Sequence, residues 1–351
     1  MKIKTNILQD MLTKVCKCAS NNNLVPITSL LGIEVKDNKL ILTSTDGNNQ
    51  LEVNQDIDIS ENFYTIVNIE KFSKLVSKTT KEYIELINNE NYLLIKGNGQ
   101  NKIELAINEE GELVKFSDVD VYGDYEVIDL VKLQNAIKYA KTSVLKPLDI
   151  PVLTGYYIGD SILTTNRQMV CQINEKLISK PILIYPETAE LLLIINEKDI
   201  HFKESNGLMI FETNKYRLKA RQLQDINDYP VKQLSNLLAL DYNSNICVDK
   251  KELLNILDRT SIFVKKQDDN IINLKFNKEK LIIQSKEADS IENIEFLEAN
   301  NAVNLDCLID IEMFKTHIKA LQKDIINIHY GSQKSIKLVE DTVDLVIALE
   351  N

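Results

Sequence analysis

The sequence predicts an α+β fold of three repeated domains, each with two helices packed on antiparallel sheets. Three observations predict it. Nearly the same phrase stands near the start and near the end, KDNKLILTST at 36–45 and NKEKLIIQSK at 277–286, with a worn copy, GDSILTT, at 159–165. Helix-like segments precede the phrases at 6–20, 129–144 and 249–264, which sets a period of about 120 residues. After each phrase come a second helix-like segment and then paired runs of alternating apolar and polar residues. A unit of this size exceeds the roughly 20–45 residues of a solenoid repeat. Three copies of a whole domain fit it, at 1–122, 123–244 and 245–351, with borders near YGDYEV (122–127) and NSNICV (243–248).

Each element has a local reason. The first helices, NILQDMLTKVCKCAS, DLVKLQNAIKYAKTSV and DKKELLNILDRTSIFV, open on a polar or acidic residue suited to an N-cap, then place apolar residues at i, i+3, i+4 and i+7. Leu253, Leu254, Leu257 and Ile262 mark that face in the third copy. The second helices are expected at 68–79, 186–197 and 310–322. Hairpins follow, turning at Gly97-Asn98-Gly99, expected to supply positive φ, at Asn206-Gly207 and at Gly331-Ser332.

Composition narrows the function. The 351 residues are 44% hydrophobic and 26% charged, enough for sizeable cores. The N-terminus has helical spacing and no continuous apolar run of a signal peptide, and LLLII at 191–195 is far short of a bilayer span, so a cytoplasmic protein without a membrane partner is expected. Five cysteines (16, 18, 171, 247, 307) lack metal-ligand spacing and read as reduced thiols. The three histidines, His201, His317 and His329, form no HExxH and stand beside no nucleophile motif. Gly97-Asn98-Gly99 lacks GxGxxG spacing, and no acidic pair has the spacing of a metal loop. The chain is therefore expected to be no enzyme and to carry no cofactor and no metal.

A formal net charge of −11 argues against holding nucleic acid by bulk attraction, so any DNA contact must use a local basic surface. Such a surface is written on the helices. Lys71, Lys74, Lys78 and Lys81 fall within about 80° of helical arc, opposite Ile69, Phe72, Leu75 and Val76. Lys315, Lys319 and Lys323 repeat the device opposite Phe314, Ile318 and Leu321. The first helices add Lys14 and Lys17, then Lys138 and Lys141, then Lys250, Lys251 and Arg259; Lys146, Lys265 and Lys266 complete the candidate set. One lysine row is ordinarily a solvated face. Recurrence on equivalent helices of an acidic chain points to sequence-independent tracking of a DNA backbone. The second helix of repeat two has no lysine before Lys198.

These residues carry a resemblance. VPITSLLGIEV with KLILTSTDG in repeat one, PVLTGYY with ILTTNRQMV in repeat two, ELLNILDRTSIF with KLIIQSKEAD in repeat three, and RLKARQLQDINDYP between them resemble, in order and spacing along the whole chain, the bacterial beta sliding clamps, processivity subunits of replicative DNA polymerases. The resemblance implies a head-to-tail homodimer, a ring of six domains with helices lining the hole. Its partners would be double-stranded DNA, DNA polymerase, clamp loader and other proteins bearing a clamp-binding motif. It places dimer contacts at Ile103, Leu105, Ile262 and Phe263. Alternation alone leaves Ile103 and Leu105 equally readable as ordinary core.

It also implies a pocket for a short partner peptide, walled by Leu153, Thr165, Arg167, Gln168, Met169, Val170, Asn227, Val231, Leu345, Ile347, Ala348 and Leu349. Here the chain departs from the family pattern. Asn166-Arg167-Gln168-Met169-Val170 stands for the usual D-G-H-R-L, and Ile347-Ala348-Leu349-Glu350-Asn351 for M-P-M-R-L. Two or three buried aliphatic anchors would give micromolar-class binding. The alternative reading is a peptide-binding scaffold of the same fold that does not encircle DNA.

Overall fold

The structure, a computed structural model, describes residues 1–20, 22, 24–58, 62–119, 121–146, 150–264, 270–331 and 334–350. Among them are seven α-helices: α1 (Thr5–Val15), α2 (Ile69–Ser77), α3 (Leu130–Ala140), α4 (Pro186–Leu193), α5 (Val231–Leu238), α6 (Lys250–Ser261) and α7 (Ile311–Ala320). All six of the expected first and second helices begin within a residue of their expected starts. The exception in capping is α1, which follows Lys4 with no side-chain cap and is tied instead by the Thr5 hydroxyl donating to the Lys81 carbonyl at 2.6 Å. Asn68, Asp249 and Asp310 do cap α2, α6 and α7 through their side-chain oxygens, each contact typically stabilising by about 1 kcal/mol. The sequence reading missed α5, although Pro230 followed by Leu234, Leu237 and Leu238 carries its signal.

The chain divides into two compact units, Met1–Val131 with Pro186–Gln222, and Lys132–Tyr185 with Leu223–Asn351. The first unit contains an eight-stranded antiparallel sheet in the order Phe63–Asn68, Leu30–Lys36, Lys39–Thr45, Asn49–Asp56, Tyr216–Arg221, Leu208–Glu212, Asp199–Ser205, Glu126–Asp129. A four-stranded sheet, Lys2–Lys4, Tyr83–Asn88, Tyr92–Lys96, Gln100–Glu104, ends on the last of these as an edge. Leu8, Met11, Leu12 and Val15 of α1 and Phe72 and Val76 of α2 are buried in the core of this unit.

In the second unit a nine-stranded sheet runs Ile182–Ile184, Tyr156–Ile158, Ile162–Thr165, Met169–Ile173, Val343–Ala348, Ser335–Glu340, Ile325–Tyr330, Ser244–Asp249, Glu298–Asn300. Its four-stranded companion is Ile291–Glu295, Lys280–Ser285, Ile271–Phe276, Leu305–Asp310, with Ile291–Glu295 at the edge. Leu253, Ile256 and Leu257 of α6 and Phe314 and Ile318 of α7 are buried there.

The recurring phrase proves to be the second strand of a hairpin in each copy: Lys39–Thr45, Ile162–Thr165 and Lys280–Ser285. Asp37 and Asn38 (φ 51° and 60°) and Asn206 and Gly207 (φ 54° and 76°) take the left-handed conformations of tight hairpin turns. The Gly97-Asn98-Gly99 turn does not. None of the three has positive φ, and Gly97 is needed because a Cβ there would come within 2.9 Å of Thr79 Cγ2. In the third hairpin turn Ser332 lies outside the described residues.

Candidate nucleic-acid interface and peptide groove

The candidate cations separate into three groups. Lys17, Lys71, Lys78, Lys81, Lys138, Lys146, Lys251 and Lys319 are exposed and make no ion pair among the described residues; Lys141 is exposed as well. A second group is engaged within the chain. Lys14 lies 2.6 Å from Asp10 and above the Tyr216 ring; burial pulls its pKa down, but the hydrogen bonds to Asp10 and Tyr216 leave it raised overall. Lys74 pairs with Glu70, Lys323 with Asp341, Lys250 donates to the Leu321 carbonyl, and Arg259 grips Glu292 through two 2.8 Å contacts.

Lys315 corrects the row expected on α7. It is 8% exposed, with its ammonium 2.8 Å from Asp258 on α6 and 3.3 Å from Glu312. The i, i+4 spacing that aligns it with Lys319 also aims it at α6, so it joins two helices instead of facing solvent. Lys265 and Lys266 lie outside the described residues. On α4 the exposed charges are Glu187 and Glu190, in keeping with the missing lysines.

The residues expected to wall a peptide pocket all belong to the second unit, and the structure brings part of the set together. Leu153, Leu163, Val170, Leu183, Leu223, Tyr229, Leu234, Leu238 and Val346 form one apolar cluster, with half-buried Val152, Tyr157, Ile226 and Val231 against it. Beside it opens a groove of about 570 Å³ lined by Tyr157, Pro181, Ile226, Asn227, Tyr229 and Val231. Tyr229 stacks on Tyr157 with ring centroids 5.2 Å apart and donates its hydroxyl to the Leu163 carbonyl at 3.0 Å, which fixes the floor.

Leu345 and Ile347 correct the expectation. Met169 pairs with Ile347, Val170 with Val346 and Cys171 with Leu345, so alternation puts Val170 and Val346 on the groove side and turns Leu345 and Ile347 to the opposite, fully buried face. Met169 and Thr165 are buried, the Thr165 hydroxyl donating to the Met169 carbonyl at 2.9 Å. Gln168 and Ala348 are exposed, and Leu349 is half-buried. Tyr157, Tyr229 and Val346 were not among the expected wall residues. The alternation of VDLVIA separates Val346 from Leu345 and Ile347, but only the register with Met169–Ile173 shows which face meets the groove.

Arg167 holds φ at +82°, in a turn where the Asn166 side chain accepts from the Gln168 and Met169 amides at 3.1 and 2.7 Å. The equivalent turn in the first unit has Asp46 accepting from Asn48 and Asn49 at 2.8 and 2.6 Å, with Gly47 at φ +101°. An arginine there stores strain that glycine would not. R167G is expected to stabilise the chain by about 1 kcal/mol in chemical denaturation, and G47R to destabilise it by a similar amount. Unchanged midpoints for both would contradict this.

Of the expected contact residues at the sheet edges, Ile262 and Phe263 are 77% and 47% exposed just past α6, while Leu105 is half-buried. Ile103 is 7% exposed and faces the core opposite Leu93, so the edge Gln100–Glu104 presents its backbone and the side chains of Lys102 and Glu104.

No group of three or more His, Cys, Asp or Glu is placed to hold a metal among the described residues. His317 is fully buried against the Ser143 hydroxyl at 2.9 Å, and burial drives its pKa down to about 3, so the ring is neutral near pH 7. No described helix is long and apolar enough to cross a membrane.

Residues 1–113 match the family described as DNA polymerase III beta subunit, N-terminal domain. The chain is 21% identical over 374 aligned positions to the beta sliding clamp of Staphylococcus aureus, spanning 99% of this chain and 97% of that protein. The solved DNA polymerase sliding clamp of Bacillus subtilis covers the whole chain and 98% of its own length with a TM-score of 0.87 at 18% identity. DNA polymerase III subunit beta of Borrelia burgdorferi does so with a TM-score of 0.87 at 20% identity. At these identities the solved structures establish the fold.

Proposed function

We propose, from the likeness to the bacterial DNA polymerase III beta sliding clamps, that this chain is a divergent member of that family and that two copies close head to tail into a ring around duplex DNA. The ring would tether a replicative DNA polymerase, a clamp loader and other replication and repair proteins. One observation carries this reading. The same sheet junction is built twice within the chain, by Asn49–Asp56 against Tyr216–Arg221 and by Met169–Ile173 against Val343–Ala348. The third strand of the first kind, Ile291–Glu295, and the third of the second kind, Gln100–Glu104, are both left as edges.

An unpaired edge is a template for another strand. Two unlike edges joined between copies, each inter-strand hydrogen bond contributing about 1 kcal/mol net, close a ring when the rotation permits. In this reading the domains are 1–122, 123–244 and 245–351, each border falling between the halves of a continuous sheet. Ile262, Phe263 and Leu105 would flank the closing edges.

Exposed lysines on α2, α3, α6 and α7, with Lys17 just past α1, fit a bore that contacts phosphates weakly and without regard to sequence. Each exposed contact is small and screened by salt, which suits a ring that slides and is held by topology. The groove beside Tyr157 and Val231, which Asp228, Lys232 and Gln233 also line, offers apolar contacts that fit the aliphatic anchors of a short peptide. A tether of this kind acts by raising local concentration, to the order of millimolar for short spans. We assign it no enzymatic reaction and place it in the cytoplasm with the nucleoid. Sedimentation equilibrium tests the closure. The expected mass is twice the 40.1 kDa of the chain, and a monomer at micromolar concentration would contradict the reading.

A further inference from the structure

The twice-built junction has a second groove, in the first unit, with opposite chemistry. The turns leading into the two junctions match: the Thr45 hydroxyl donates to the Asn49 carbonyl at 2.5 Å as Thr165 does to Met169 at 2.9 Å. Gln50 then opposes Lys219 where Val170 opposes Val346. Lys219 therefore occupies the place of an apolar groove residue. It belongs to the run Arg217, Lys219, Arg221, whose alternate side chains share one face of the strand at about 6.8 Å spacing.

Lys219 is 6% exposed, yet its ion partner, Asp118 at 3.5 Å, is fully exposed. Arg221 is exposed and makes no ion pair among the described residues. Both cations line a cavity of about 310 Å³ with Thr45, Asn48, Gln50 and Ser117, and no carboxylate lines it. The competing acids lie outside the cavity, although the Lys219 charge is also felt by Glu52. Glu52 opposes Arg217, which also stands 3.9 Å from Glu212, and burial raises the Glu52 carboxyl above its ordinary range. Glu34, Glu52 and Asp118 line a neighbouring cavity together with Gln50 and Arg217.

We infer that this cavity binds an extended acidic peptide whose alternate carboxylates meet Lys219 and Arg221, and that Lys219 exchanges its pairing with Asp118, which lines the neighbouring cavity, for the peptide's carboxylate. A strand-like peptide spaces alternate side chains at the same interval as the two cations, and a carboxylate on a guanidinium or a desolvated ammonium makes a charge-assisted contact. The occupant differs from an aliphatic-anchored peptide, so the two junctions would discriminate partners by charge. The inference stands independently of ring closure.

The probe is a fluorescein-labelled pentapeptide of alternating glutamate and valine, titrated by anisotropy against the full chain, with its glutamine counterpart as control. The glutamate peptide is expected to bind at least tenfold more tightly than the control. R221Q and K219M should each weaken it tenfold or more, and D118N should strengthen it severalfold. K219M restores the apolar character of the equivalent Val346 position, and R221Q alters an exposed side chain, so at least one variant remains folded by circular dichroism. Equal binding of the two peptides, or binding unaffected by both substitutions, would overturn the inference. Displacement by inorganic phosphate at concentrations matching the peptide's own would show a small-anion site and overturn the peptide occupant.

Discussion

Chains carrying Lys71, Lys78, Lys251 and Lys319 replaced by glutamate are expected to lose retention on circular duplex DNA, and stimulation of a cognate polymerase, by on the order of tenfold to hundredfold at physiological salt. All four ammonium groups are exposed and make no ion pair among the described residues, so reversing them breaks no intramolecular ion pair there; Lys319 acts at longer range on Asp258. Each phosphate contact contributes nearly one unit to the slope of log affinity against log salt. The variant should therefore show a flatter salt dependence as well as weaker binding. Lys14, Lys74, Lys323 and Arg259 are poorer targets, because their charges are already paired with Asp10, Glu70, Asp341 and Glu292. Undiminished retention and stimulation would favour a peptide-binding scaffold that leaves DNA alone.

K315E is expected to behave quite differently from K319E, one helical turn away, and to lower unfolding stability by about 3 kcal/mol. The Lys315 ammonium sits between Asp258 and Glu312, and the side chain is nearly covered. Burial alone would lower its pKa; hydrogen bonds to the two carboxylates raise it overall, and Asp258 in turn is held below the usual carboxylate range by that hydrogen bond. Glutamate would place a third carboxyl among them. Both acids are more than half exposed and water can solvate them, so the cost stays at the lower end for a broken buried pair. K315M keeps the packed stem and should cost about 1 kcal/mol, and K319E should fall within about 0.5 kcal/mol of the parent. Denaturant midpoints measure all three. A K315E chain as stable as K319E would place Lys315 in solvent after all.

These contrasts show what a one-dimensional pattern can carry. The hairpin phrase, the helix cap at Asp249, and the buried faces of α2 and α7 were legible because each depends on neighbours within a few residues. Lys315 was not, because its partner on α6 lies 57 positions away and helical spacing alone cannot separate a solvated row from an inter-helix pair. Val346 was missed for Leu345 and Ile347 because face assignment along an apolar strand needs the register with Met169–Ile173. Gly97 was read as a conformational necessity when it is a steric one, imposed by Thr79 from the end of α2. The charged junction around Lys219 appeared in the sequence only as the alternation of RLKAR, with no sign that Gln50 would face it.

Topological retention tests the central claim most directly. The chain is assembled with its loader on a nicked circular duplex, unbound protein is removed by gel filtration, and half the sample is linearised with a restriction enzyme. A closed ring of two copies predicts that the protein stays with the circle and is released from the linear ends. Equal retention on both forms, or none on the circle, would contradict it.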